Sequence, residues 1–97
     1  MDKQNYLNLL IEWQTKECLK ARNQIIFGLI TFVHILALQH SDKSDKDDLF
    51  QEGILGVLEA CNNYNIKNKI SFLTFAKQSA INNIIGYRQK EVYHVKR

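Results

Sequence analysis

The segment Asp47-Asp48-Leu49-Phe50-Gln51-Glu52-Gly53-Ile54-Leu55-Gly56-Val57-Leu58-Glu59-Ala60 sorts into three faces when wound as a helix at about 100° per residue. Phe50, Ile54, Val57 and Cys61 form one apolar stripe, with Leu58 at its edge. Leu49, Gly53, Gly56 and Ala60 form a second, in which small residues dominate. Asp48, Gln51, Glu52, Leu55, Glu59 and Asn62 form the third, polar except for Leu55. A glycine inside a helix costs about 1 kcal/mol against alanine, so two in one stripe need a cause. Close packing against a neighbouring helix supplies one. It does not account for an acidic face with a leucine set into it, and that face reads as a docking surface.

Around this segment the composition points to a helical domain. The chain has 97 residues, enough for one modest core, with no proline and 4 glycines, which favours long helices. An apolar fraction of 45% is ordinary for a globular protein and argues against disorder. Cys18 and Cys61 lack the spacing of a metal or redox motif and read as cytosolic thiols. His34, His40 and His94 are scattered, so no metal site is expected. No signal peptide is apparent at the N-terminus, and the expected location is cytoplasmic.

The net charge of +3 hides an asymmetry. Residues 1–60 carry six Lys/Arg and nine Asp/Glu, net −3, while residues 61–97 carry seven Lys/Arg and one acid, net +6. Such a chain can meet a basic partner with one half and a polyanion with the other.

Taken in order, residues 2–19 place Tyr6, Leu7, Leu10, Ile11 and Trp13 at helical spacing and predict a first amphipathic helix. A break is expected near residues 18–23. Residues 25–39 are apolar nearly all round, which predicts a helix in the centre of the domain. The apolar run of 14 residues, 25–38, is too short to span a bilayer. Residues 40–47 form a polar turn. Ser44 is the expected cap of the organising helix, which should run to about Asn62, with Asp45, Asp47 and Asp48 in its first turn. The asparagine-rich residues 62–69 end it. Ser71 is the expected cap of a last helix reaching Gln89 or beyond.

On that last helix Leu73, Ala76, Ala80, Ile84 and Tyr87 share a core face. Opposite lie Phe75, Gln78, Ser79, Asn82, Ile85 and Gln89, flanked by Lys67, Lys69, Lys77, Arg88 and Lys90. Amides read adenine edges, aromatics stack on bases and basic side chains hold phosphates, so this side suits nucleic acid. The simpler alternative is an ordinary polar face with Phe75 folded back on a neighbour.

Asp48-Leu49-Phe50-Gln51-Glu52-Gly53, followed by Gly56 and Ala60, resembles the second region of bacterial sigma factors of the sigma-70 class. Ser71-Phe72-Leu73-Thr74-Phe75-Ala76, seven residues after Tyr64, resembles the stretch that follows in that class. The resemblance covers residues 21–88 and is densest over 48–76. It implies an all-α bundle of three to four helices, a single domain over residues 1–97, no catalysis and no cofactor. It further implies docking on core RNA polymerase, at the clamp helices of the largest subunit, and capture of the non-template strand of the −10 promoter element. By position, Asp48, Gln51, Glu52 and Leu58 match polymerase contacts of the class, and Leu55 joins them from the wheel. Phe75 matches an aromatic that stacks on a flipped base, and Asn82 and Ile85 match readers of the upstream edge. Lys67, Lys69, Gln78, Ser79, Arg88 and Lys90 complete the expected DNA surface.

Housekeeping members carry adjacent tryptophans where this chain has Gln78 and Ser79, an aromatic at Ile70 and an amide at Ile54. Those departures point to a specialised, alternative sigma factor with weak autonomous melting of the duplex. The sequence ends at Arg97, before anything like the domain that reads the −35 element. It is read as an excised domain, with a natural small subunit of a split sigma factor as the alternative. An anti-sigma factor or a second sigma subunit are further partners that such a chain admits. The competing function is a helical adaptor that binds polymerase or a regulator without reading DNA. An enzyme is not expected, because no paired carboxylates, nucleophile with base, or phosphate-binding glycine loop appears.

Overall fold

The computed structural model describes residues 2–42 and 45–95, with side chains through Gln89. Its four helices are α1 (Lys3–Lys16), α2 (Leu19–His40), α3 (Lys46–Asn63) and α4 (Phe72–Val95), and no strand occurs among the described residues. The expected all-α bundle is what forms. Helix α1 opens on Asp2, whose Oδ1 accepts the Asn5 N–H at 2.9 Å. It closes at Glu17, in the left-handed region at φ 52°, whose N–H donates to the Trp13 carbonyl. This reversal places the break at residues 17–18, at the near edge of the expected interval. Without glycine there, the chain accepts a left-handed glutamate, which costs roughly 1–2 kcal/mol.

Helix α2 begins six residues earlier than its apolar run suggested, because Leu19–Gln24 extends it through Ala21, which is buried. Ile25, Leu29, Val33, Leu36 and Ala37 point into the core. The expectation of an enclosed central helix fails on the other side, where Phe27 is 77% exposed, Ile35 50%, Leu38 47% and Ile30 38%. Three neighbours cannot surround a helix in so small a bundle, so its outer face stays open. At 22 residues α2 is also long and apolar enough, by length and composition alone, to cross a membrane, with 33% of its most apolar window buried. The reading of that segment as too short does not hold.

The core gathers Tyr6 and Leu10 from α1, the inner row of α2, Leu49, Val57, Ala60 and Cys61 from α3, and Phe72, Ala76, Ala80 and Ile84 from α4. Each fully buried leucine or isoleucine there contributes about 1.5–3 kcal/mol. Burial also pushes the Cys61 thiol up to about 11, which leaves it unreactive.

The glycine stripe has its cause in this packing. A Cβ on Gly56 would stand 2.6 Å from the Ser79 carbonyl oxygen and 2.7 Å from the Ala80 Cα, so α3 and α4 touch backbone to backbone. A Cβ on Gly53 would meet the Cγ1 of Val33 at 2.5 Å. The small-residue stripe is therefore the deepest of the three, while Phe50 and Ile54 are half-buried beside it.

Ser71 caps α4 as expected, its Oγ accepting the Thr74 N–H at 3.2 Å. Ser44, the expected cap of α3, lies outside the described residues. Asp45 holds the capping position without a side-chain cap bond. Its carboxylate accepts the Asp42 N–H at 2.7 Å and pairs with Arg88.

Candidate polymerase and nucleic-acid surfaces

The outer face of α3 carries Asp48, Gln51 and Leu55 exposed, with Glu52 and Leu58 partly so. Leu55 is 48% exposed, on the helix face that also carries Gln51, Glu52 and Glu59. Three of the acids near this face turn toward α4. Asp48 accepts the Tyr87 hydroxyl at 3.3 Å, Glu59 accepts the Asn83 amide at 2.7 Å, and Asp45 holds Arg88. The Asp42 amide, and then Arg88, keep the Asp45 carboxyl below its ordinary range against the opposing effect of burial.

Arg88 thus faces α3 and stands apart from the lysine-bearing loop. Lys67 and Lys69 are exposed on that loop, which is held in shape from beneath. Tyr64 is buried and donates its hydroxyl to the Ile70 carbonyl at 2.6 Å. The Asn65 Oδ1 accepts the Lys67 N–H at 2.9 Å, and the Asn65 carbonyl accepts the Asn68 N–H at 2.8 Å. The asparagines that end α3 therefore build the turn that presents both lysines.

Phe75 is less exposed than its helical position suggested. Its ring packs edge-on against Tyr64, centroids 5.4 Å apart, and it joins the margin of the core. What remains open of it faces a notch of about 150 Å³ lined by Glu59, Asn63, Phe75, Ser79, Asn82 and Asn83. Phe75, Ser79 and Asn82 were expected to share a surface, and they do. Gln78 and Asn82 are linked by an amide hydrogen bond of 2.9 Å along the helix, and Ile85 is exposed one turn further on. The side chain of Lys90 lies outside the described residues. Lys77, read as a flanking cation, has its Nζ 5.1 Å from the centre of the Phe32 ring.

Several residues of this region were not singled out from the sequence. Asn63 and Asn83 enter the notch, joined by Glu59 from the acidic face of α3, because α3 and α4 cross so closely at Gly56. Helix α1 adds Gln14, whose Nε2 donates to the carbonyls of Cys61 at 3.1 Å and Tyr64 at 2.8 Å, closing the C-terminal end of α3. Trp13 donates to the Asn62 side chain at 3.2 Å and carries the Arg22 guanidinium over its ring at 5.1 Å. Together they wall a groove of about 720 Å³ that continues to Asn65 and Lys67. Interactions that span some fifty residues leave no local periodicity to read.

The family model of sigma-70 region 2 matches residues 31–92, and the chain belongs to that family. Region 2 is a non-catalytic domain of transcription factors that act with RNA polymerase in initiation. Neither a curated protein nor a solved structure matches the chain.

Proposed function

We propose that this chain is the region 2 domain of a specialised sigma factor, acting in the cytoplasm. It docks on the clamp helices of core RNA polymerase through Asp48, Gln51, Glu52, Leu55 and Leu58. It then holds the non-template strand of a −10-like element against α4 and the preceding loop. Lys67 and Lys69 take phosphates, and the notch beside Phe75 takes a base. The notch is lined with amides and one carboxylate, acceptors and donors that suit a base edge better than a phosphate. Asn82 lines it with Ser79, Gln78 is hydrogen-bonded to Asn82 and Ile85 lies a turn further along the same helix, while Arg88, held by Asp45, is left out of the strand's path.

The observation that carries this reading is the crossing of α3 and α4 at Gly56. It sets the acidic, leucine-bearing face and the Phe75 notch on adjoining sides of one rigid pair, with Glu59 and Asn83 joining them. A single domain can then touch polymerase with one helix and the opened strand with the next.

The test is affinity for core polymerase measured by competition with a labelled parent domain. Reversing charge at Asp48 or Glu52 to lysine is expected to weaken binding at least about tenfold, with helicity unchanged, as for desolvated interface charges. Leu55→Ala asks whether the exposed leucine shares that interface. Unchanged affinity in both charge-reversed variants would remove the α3 face from the assignment. Polymerase binding without any affinity for single-stranded DNA would leave the adaptor reading in its place.

A further inference from the structure

We propose that the open face of α2 is a self-association interface, on which two copies of this chain pair their α2 helices antiparallel. The face comprises Phe27, Ile30, Thr31, His34, Ile35 and Leu38, all exposed. Its His34 ring meets Phe50 of α3 edge-on at 5.9 Å and Phe27 borders α1, but none of its members lines the Phe75 notch or belongs to the acidic face of α3, so pairing leaves both in place. The inference stands independently of the proposed function.

The first argument is spacing. A two-fold axis through the midpoint of Phe32 and Val33 sends position 27 to 38, 30 to 35 and 31 to 34. Every member of the face then meets another member on the second copy, which is the self-complementarity an isologous interface requires. Positions 27, 31, 34 and 38 alternate steps of four and three, the seam of two supercoiled helices.

The second argument is charge. Residues 23–41 contain no Asp, Glu, Lys or Arg, so the face brings no like charges together. At its ends the antiparallel arrangement sets exposed Lys20 near Asp42 and the negative C-terminal end of the second copy's α2. A parallel pair would set Lys20 against Lys20. Beside Phe27 a groove of about 790 Å³, walled by Asn5, Asn8, Leu9, Lys20, Asn23 and Gln24, lies where Leu38 of the second copy arrives.

The third is area. The exposed parts of Phe27, Ile30, Ile35 and Leu38 amount to roughly 400 Å² per copy, within the size of the largest, commonly functional, apolar patch on a soluble monomer. With Thr31 and His34 the pair would bury on the order of 1,000 Å² in total, at the small end of specific interfaces, which is why association is looked for at up to several hundred micromolar.

The experiment is sedimentation of the whole chain from micromolar to several hundred micromolar, with far-UV circular dichroism as the folding control. A monomer–dimer equilibrium is expected. Phe27→Glu and Leu38→Lys, each at an exposed site, should weaken it at least about tenfold without loss of helicity. The double variant Phe27→Glu/Leu38→Lys should regain association at low salt, because position 27 then faces an opposite charge at 38. In a parallel pair like charges would meet and no rescue would appear. A parent chain that stays monomeric throughout, a dimer indifferent to Phe27→Glu, or no rescue in the double variant overturns the proposal. So does a monomer that floats with phosphatidylcholine vesicles, which would put lipid on this face.

Discussion

Gly56→Ala tests the helix crossing on which both functional surfaces depend. Alanine is the better helix former by about 1 kcal/mol, so helix propensity alone predicts a gain in stability. The packing predicts the reverse. The new methyl would lie 2.6–2.8 Å from the carbonyl oxygen of Ser79 and the backbone N and Cα of Ala80. Backbone cannot rotate away as a side-chain tip can, so α3 and α4 must separate. Overpacking of this kind costs about 3 kcal/mol at the upper end of its usual range, which leaves a net loss of about 2 kcal/mol. For a domain of this size that is a fall of roughly 8–16 °C in Tm, readable by circular dichroism or differential scanning calorimetry. Two companions calibrate it. Gly53→Ala meets the Val33 methyl and the flexible end of Ile84, and should cost less. Gly86→Ala on α4 meets nothing within 4 Å and should raise stability by about 0.5–1 kcal/mol. If Gly56→Ala melts at or above the parent's temperature, the close crossing is refuted, and with it the geometry that joins the two surfaces.

Two further outcomes follow from the electrostatics. The Asp45 carboxyl titrates below its ordinary value near 3.8, so its contribution to stability is complete above that value and fades as pH falls through the lowered one. In denaturant melts the advantage of the parent over Asp45→Asn should be constant near neutrality and shrink below about pH 4; an advantage that does not change with pH would contradict the assignment. Replacing Lys67 and Lys69 by glutamine should weaken every single-stranded oligonucleotide alike. It should also flatten the salt dependence by roughly 0.7 for each phosphate no longer neutralised, and an unchanged salt slope would take both lysines off the strand.

Much of this architecture was legible in the sequence because it is local. Two amphipathic periodicities, an asparagine turn and a serine cap place α3 and the start of α4 within a residue or two, while α4 runs on to Val95, six residues past Gln89. The glycine stripe announced a close helix approach before its partner, the backbone at Ser79–Ala80, was known. Other features depend on what surrounds a helix, which its own sequence does not state. The apolar wheel of α2 predicted enclosure, yet a bundle this small leaves Phe27 and Ile35 uncovered. Phe75 looked exposed on its wheel and is half-covered by Tyr64, a residue of the preceding turn. The reach of Trp13 and Gln14 to residues 61–64 crosses half the chain. Arg88 read as one more basic residue beside a nucleic-acid face until its partner at Asp45 came into view.

The central claim is that this domain, seated on core polymerase, captures a base of the opened −10 strand beside Phe75. The most direct measurement is fluorescence anisotropy of the polymerase–domain complex with single-stranded oligonucleotides varied at each position of a −10-like sequence. Stacking on an aromatic is worth about 1–3 kcal/mol, so Phe75→Ala should lose roughly 5- to 150-fold in affinity and its discrimination at one position. A thermal melt on the same variant separates this from disturbed packing against Tyr64. If folded Phe75→Ala binds every oligonucleotide as tightly and as selectively as the parent, the ring is a packing residue and the account of strand capture is contradicted.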